Sequence, residues 1–325
     1  MSRRSFQNLR HQRGVTLIEL MVALLLGLLV SAAAIGAFLS NNRTQEATQN
    51  LSRMQENARI AFEIMARDLR QAAGNPCSNT IEVTNRVNGY NTAARWWANW
   101  DRASISRGFI GYNNSAPSGV TTVAGSDMLE VMAATAPSAL VTDHSPPNIR
   151  VNSSTHGIST GDLVMVCDNR LAAIFQATVT GAVISHSASG NPGNTNANLG
   201  IAIGAGTPTA FVFNDNAVLS RLSAARWYVA PNGRGGNSLF RRSLRGGSPA
   251  GEVVEEVVEG VRDMQLQFLL PNTTNYTDTV AATRWGEVQA VRVQLTFESE
   301  GRVGTDGQQI LRRLHHTIVL RNRTL

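Results

Sequence analysis

One carboxylate stands alone among apolar residues. Glu19 is the only ionisable side chain in the run from Val15 to Leu39, VTLIELMVALLLGLLVSAAAIGAFL. A carboxylate four residues into an apolar helix costs roughly 2.5 to 3.5 kcal/mol on membrane-insertion scales, so it calls for a partner or a task. A cut after Gly14 would supply one, because it creates a positive amine at Val15, one helical turn from Glu19. A second pattern, Gly157-Ile158-Ser159-Thr160-Gly161, fits the GxSxG of a nucleophile elbow and would make Ser159 the attacking hydroxyl of a hydrolase. That geometry needs a strand before the serine and a helix after it. Asp162 to Val166 reads as a strand, so an ordinary turn is the simpler reading and no catalytic residue is assigned. Neither a Walker A nor an HExxH sequence occurs.

The remaining reactive side chains are scattered. His315 and His316 are adjacent, and adjacent residues in a strand point to opposite faces, which suits them poorly to one metal. His11, His144, His156 and His186 have no ligand spacing, and no DxDxDG-like calcium loop is present, so no metal or cofactor is expected. Trp96, Trp97 and Trp100 cluster within six residues, as a hot spot, a stacking surface or, more simply, core packing. The stretch 231–251 carries Arg234, Arg241, Arg242 and Arg245 among glycines and reads as a loop.

Elements must position these groups, and the first is a helix. Val15 to Leu39 is 25 residues, a helix of roughly 37 Å, enough to cross a hydrocarbon core of about 30 Å. Arg3, Arg4, Arg10 and Arg13 precede it, so the positive-inside rule places the N-terminus in the cytoplasm and residues beyond 40 outside. A plain signal-anchor would fit this span. A cleaved secretory signal would also use Ala32-Ala33-Ala34, although the run exceeds the usual apolar core of such signals. Neither explains Glu19. Beyond the span, Ala47, Leu51, Met54, Ala58, Phe62, Met65 and Leu69 recur every three or four residues, so one helix is expected from about Val15 to Ala73, stopped by Gly74-Asn75-Pro76. Gly27 and Gly36 are places for a bend or close helix packing.

Charge follows the same division. The chain has 325 residues, 29 cations against 23 acids, a formal charge of +6 and a sequence pI near 10.3. Every one of the 29 is arginine. Without the four arginines before residue 15 the balance is 25 against 23, so the outer part is nearly neutral and nucleic acid is not an expected partner. Residues 77–250 read as short strands between long loops, with 185–199 an exposed loop. Met264 to Leu270, Val291 to Phe297 and Leu314 to Leu320 alternate or finish as strands of an antiparallel sheet covered by the outer helix. The fold class is therefore α+β. Cys77 and Cys167 would lie on the oxidising side. A bond between them would close a loop of about 90 residues, worth about 4 to 5 kcal/mol in the chain-entropy model. Two free buried thiols are the alternative, and spacing does not decide between them.

Arg13-Gly14 followed by Val15-Thr16-Leu17-Ile18-Glu19-Leu20-Met21-Val22 resembles the class III signal of type IV pilins and pseudopilins. The resemblance implies that a prepilin peptidase cuts after Gly14, that Val15 becomes the methylated N-terminus, and that Glu19 pairs with the amine of a neighbouring subunit. Val15 departs from the phenylalanine most common there. Gly161-Asp162-Leu163-Val164-Met165-Val166-Cys167-Asp168 with Ala173-Ile174-Phe175-Gln176, then Val257-Val258-Glu259-Gly260-Val261-Arg262-Asp263-Met264-Gln265-Leu266-Gln267-Phe268, and Leu320-Arg321-Asn322-Arg323, are similar to minor members of the family. Residues 78–125 and 180–250 carry no such similarity.

The resemblance divides the chain into a leader (1–14), a membrane and filament-core helix (15–40), its amphipathic continuation (41–75) and an extracytoplasmic β-rich domain (76–325). It implies a non-enzymatic minor pilin that helps to prime type IV pilus assembly and supports twitching motility and adhesion. Implied partners are other minor pilins, the major pilin, the prepilin peptidase, the inner-membrane assembly platform and a tip adhesin. The expected location is the inner membrane as a single-pass protein with a periplasmic domain, and then the pilus. The alternatives are a minor pseudopilin of type II secretion and a membrane-anchored hydrolase using Ser159.

Overall fold

The computed structural model describes residues 14–78, 80–101, 108–202, 206–304 and 306–323. Arg3, Arg4, Arg10 and Arg13 of the expected leader, and His11, lie outside the described residues. The expected helix is α1 (Leu17–Gln71), 55 residues and about 82 Å long, running past Gly27 and Gly36 without interruption. Through Leu39 its side chains are exposed, and it is long and apolar enough to cross a membrane. From Met54 onward one face is buried through Met54, Ala58, Ala61, Met65, Ala66 and Leu69. Burying a side chain such as Met65 or Leu69 contributes about 1.5 to 3 kcal/mol each. The helix ends where Ala73 adopts a left-handed φ of 56° and donates to Met132 O at 2.7 Å, while Asn322 Nδ2 donates to the carbonyls of Gln71 and Ala72.

The strands follow in chain order: β1 (Val83–Asn85), β2 (Phe109–Tyr112), β3 (Met128–Ser145), β4 (Asn148–Val151), β5 (Leu163–Cys167), β6 (Ala172–Gln176), β7 (Thr178–Thr180) and β8 (Val183–Ser185). Then come β9 (Val218–Pro231), β10 (Asn237–Arg245), β11 (Gly251–Glu259), β12 (Val261–Leu269), β13 (Ala290–Glu298) and β14 (Leu311–Val319). Among the described residues the large sheet runs β1-β6-β5-β9-β3-β4-β8-β7, with β10 joining β9 to β11 and β2 on β3. A separate antiparallel sheet runs β12-β13-β14.

Two expectations for the middle of the chain are corrected. Residues 77–250 are not all short strands: β3 has 18 residues and β9 has 14, paired from Leu129↔Trp227 to Leu140↔Val218. The first half of β3 is buried on both faces and its second half alternates. Between them the register slips at Thr135/Ser138, where Pro137 has no N–H to give the ladder. One strand therefore reads as two unrelated pieces. The 231–251 stretch is likewise no continuous loop. It is a short turn followed by β10, and Arg234, Arg241 and Arg242 pair with acids on β11 and α1.

Apolar burial forms distinct cores. The largest joins α1 to the inner faces of β12 and β13, with Leu129, Trp227 and Leu239 from the large sheet. A second, built from Val141, Ile149, Val164, Phe175, Ile184, Phe213 and Leu219, fills a lobe around β4 to β8. A third places Trp96, Trp97 and Trp100 against Met132, Met165, Ile174 and Leu222.

Candidate functional site

The N-terminal end of α1 brings the cleavage-site residues and the lone carboxylate together. Gly14 and Val15 precede the helix, exposed and non-helical, and no atom comes within 4 Å of where a side chain would start on Gly14. Thr16 is the N-cap, extended at φ −75° and ψ 152°. Glu19 N donates to Thr16 Oγ1 at 3.3 Å, and Thr16 N donates to Glu19 Oε2 at 3.4 Å, a reciprocal capping box. Glu19 thus has a backbone partner within its own chain, which sequence reading did not foresee although Thr-x-x-Glu is its signal. These contacts are long and use one carboxylate oxygen on the backbone, leaving acceptor capacity for an amine. Val15, Glu19, Ala23, Gly27 and Ser31 follow one another at intervals of four along one shallow groove of α1, which Leu20, Leu24 and Leu28 also line.

The outer end of the helix is fixed by charge as well as by apolar contact. Asp68 accepts from Trp227 Nε1 at 3.0 Å and from Arg241 Nε at 2.8 Å. Arg241 also reaches Glu255, while Arg234 pairs with Glu256 and Glu259. The arginines expected to form a basic loop are therefore largely matched by acids. Deeper, Arg226 and Glu130 form an ion pair at 2.8 Å, each side chain 4% exposed. Burial raises the Glu130 carboxyl above its usual range, against the opposing pull of Arg226. Arg226 also stacks 4.2 Å from the Trp96 ring centroid, and Trp96 Nε1 donates to Glu252 at 2.7 Å. The tryptophan cluster is interior packing, not an exposed stacking surface.

Ser159 does not sit on a nucleophile elbow. Its N–H donates to Asp162 Oδ2 at 2.9 Å in a turn that leads straight into β5, with no helix following. Gly161 serves another purpose: at φ +92°, a Cβ there would fall 2.2 Å from the Gly247 carbonyl carbon. Its glycine permits a close backbone crossing.

Cys77 and Cys167 are joined, with Cα atoms 6.0 Å apart across 90 residues of chain, tying the segment after α1 to β5. His144 and His186 form an unforeseen buried pair. Phe213 N donates to His144 Nδ1 at 2.9 Å, which puts the His144 proton on Nε2, facing His186 Nε2 at 3.0 Å. No group of three or more metal-ligating side chains occurs among the described residues. Burial first, and the neighbouring His144 second, push His186 down to about 4. Burial also lowers His144, against Asp143. His186 lies in the 185–199 stretch, which is irregular as expected but packed down over His186 and Asn194.

Residues 9–35 match the prokaryotic N-terminal methylation motif, and residues 226–322 match the Type IV Pilus-assembly protein W family. The second match covers the end of β9 and all of β10 to β14, the region packed on the outer half of α1. Together the two matches support a PilW-like type IV pilin. No curated protein matches it. The pilin is anchored in a membrane by its apolar helix, belongs to the minor pilins of the type IV pilus, and associates with other pilus components. Family membership points to a structural role.

Proposed function

We propose that this minor pilin primes pilus assembly and thereby supports twitching motility and adhesion. In this reading the leader is removed after Gly14, Val15 becomes the methylated N-terminus, and the domain boundaries at 14, 40 and 75 separate leader, membrane helix and helix-packed head. The head lies in the periplasm until the subunit enters the pilus. Its partners are other minor pilins, the major pilin, the peptidase, the assembly platform and a tip adhesin. The observation that carries the proposal is Glu19 at the first turn of an exposed apolar helix, directly beside the expected cleavage point.

The mechanism follows from solvation. The apolar half of α1 is first surrounded by lipid and later by neighbouring helices, so extraction exchanges one apolar environment for another. The carboxylate is the exception to that exchange. After cleavage, the amine of an adjacent subunit meets Glu19 and compensates its charge, giving the helix a fixed axial register. The PilW match over 226–322 favours the pilus over the type II secretion alternative, which shares the N-terminal chemistry. Glu19→Ala is expected to lower pilus number and incorporation of this subunit, counted by shearing and immunoblotting with membrane levels held equal. Unchanged incorporation would remove Glu19 from the mechanism.

A further inference from the structure

Each sheet ends in a free edge, and the two edges carry opposite charges. Among the described residues, β14 pairs with β13 alone and β11 with β10 alone, Asn57 of α1 donating to Glu259 O at the far end of β11 at 3.2 Å. Seven of the nine residues of β14 are exposed, including Arg312 and Arg313, which form no ion pair with a described residue. Leu311 beside them is 48% exposed. β11 carries Glu252, Glu255, Glu256 and Glu259 with no cation of its own, and Val254 is 50% exposed. Leu311-Arg312-Arg313-Leu314 opens β14 and Val254-Glu255-Glu256-Val257 lies at the centre of β11; Leu314 and Val257 pack partly against the core, and the other six residues are exposed.

Both motifs have the same order of apolar and charged residues read in either direction. Laid edge to edge, parallel or antiparallel, the arginine doublet meets the glutamate doublet and each leucine meets a valine. We propose that the β14 edge of one copy of the pilin pairs with the β11 edge of a second copy, joining their sheets head to tail. Charges on an edge strand ordinarily block such pairing. Here the two edges complement each other, so opposite charges meet across the new pair. The internal partners of the glutamates do not prevent this. Arg241 keeps Asp68 at 2.8 Å if Glu255 turns outward, and Arg234 keeps Glu259 at 3.2 Å if Glu256 does, with loss of the 2.7 Å bond that Ser238 Oγ donates to Glu256. A contact between two different patches leaves one patch of each kind unused at the ends, so it extends along a row of subunits unless its rotation closes a ring.

The test uses the full chain in detergent micelles. Because Cys77 and Cys167 are bonded to each other, Arg313→Cys and Glu255→Cys each introduce one free thiol. Mild oxidation of the mixed chains is expected to give a heterodimer about tenfold over either homodimer, the equivalent of 1.4 kcal/mol. Adding Arg312→Glu to the first chain, or Glu256→Arg to the second, should lower that yield. Combining both reversals should restore it, which a misfolded variant would not do. Absence of a heterodimer, equal yields in all mixtures, or no recovery in the double reversal would overturn the contact. The experiment reads purified chains only, so its failure would leave the pilus reading standing.

Discussion

Against α1, β12 and β13 present Met264, Leu266, Phe268, Val291, Val293, Leu295 and Phe297, all buried and at every second position. Around β6 the chain is held differently. Gln176 is buried, and its Nε2 lies 3.0, 3.0 and 3.1 Å from the carbonyls of Gly161, Asn191 and Gly247, while its Oε1 accepts from Gly193 N at 2.7 Å. Asn194 accepts from Gln176 N and donates to Gln176 O and Ser187 O. Arg86 donates to the carbonyls of Asn85, Asn198 and Gly200. The helix-packed region rests on apolar surface, and the lobe region adds side chains that satisfy irregular backbone. Apolar packing tolerates change in proportion to volume, whereas a buried polar clasp fails when one partner is removed.

The strongest way to separate the two regions is to cut their covalent link. Replacing Cys77 and Cys167 with serine should cost about 4 to 5 kcal/mol in the chain-entropy model. Hydrogen exchange should then rise in β1, β5 and β6 before it rises in β12 to β14. Uniform loss of protection would mean that the regions unfold as one. Met65→Ala should cost about 3 to 4 kcal/mol by leaving a cavity under the helix. It should loosen α1 from β13 and β14 and leave the lobe intact, as read by protease access to α1.

Acid should act on the other side. His186 titrates near 6.5 when unfolded and at about 4 when folded, so the unfolded chain binds the extra proton first. Stability is therefore full above about pH 6.5 and falls as pH drops toward 4, by up to about 3 kcal/mol. The lobe should open before the helix-packed sheet, and His186→Phe should flatten that pH dependence. Persistence of the same acid slope in the variant would assign it to other groups. The smallest expected effect is Gln176→Ala, about 2 kcal/mol, from stranding the backbone groups it satisfies. Exchange should increase at 186–194, with α1 unaffected.

Legibility in the sequence follows the same physics. Alternation exposed β12 and β13, and the spacing of Met54, Ala58, Met65 and Leu69 exposed the buried face of α1, because burial on one face writes a period into the chain. β3 was hidden because its first half is buried on both faces and a proline divides it. The 185–199 stretch looked exposed because asparagine, serine and glycine are typical of solvated loops. Its burial depends on Gln176 and Asn194 meeting in three dimensions. At the functional end, Thr16-Leu17-Ile18-Glu19 was legible as a local pattern. The His144–His186 pair, 42 residues apart in sequence, was not.

The proposed mature subunit begins at Val15, with Glu19 one turn into its helix. Intact mass and N-terminal peptide mass spectrometry of the chain recovered from membranes or pili measure this directly. A chain starting at Val15 with a methylated amine is the expected result. An intact leader in sheared filaments, or an N-terminus near residue 35 after a small-residue cleavage site, would contradict it.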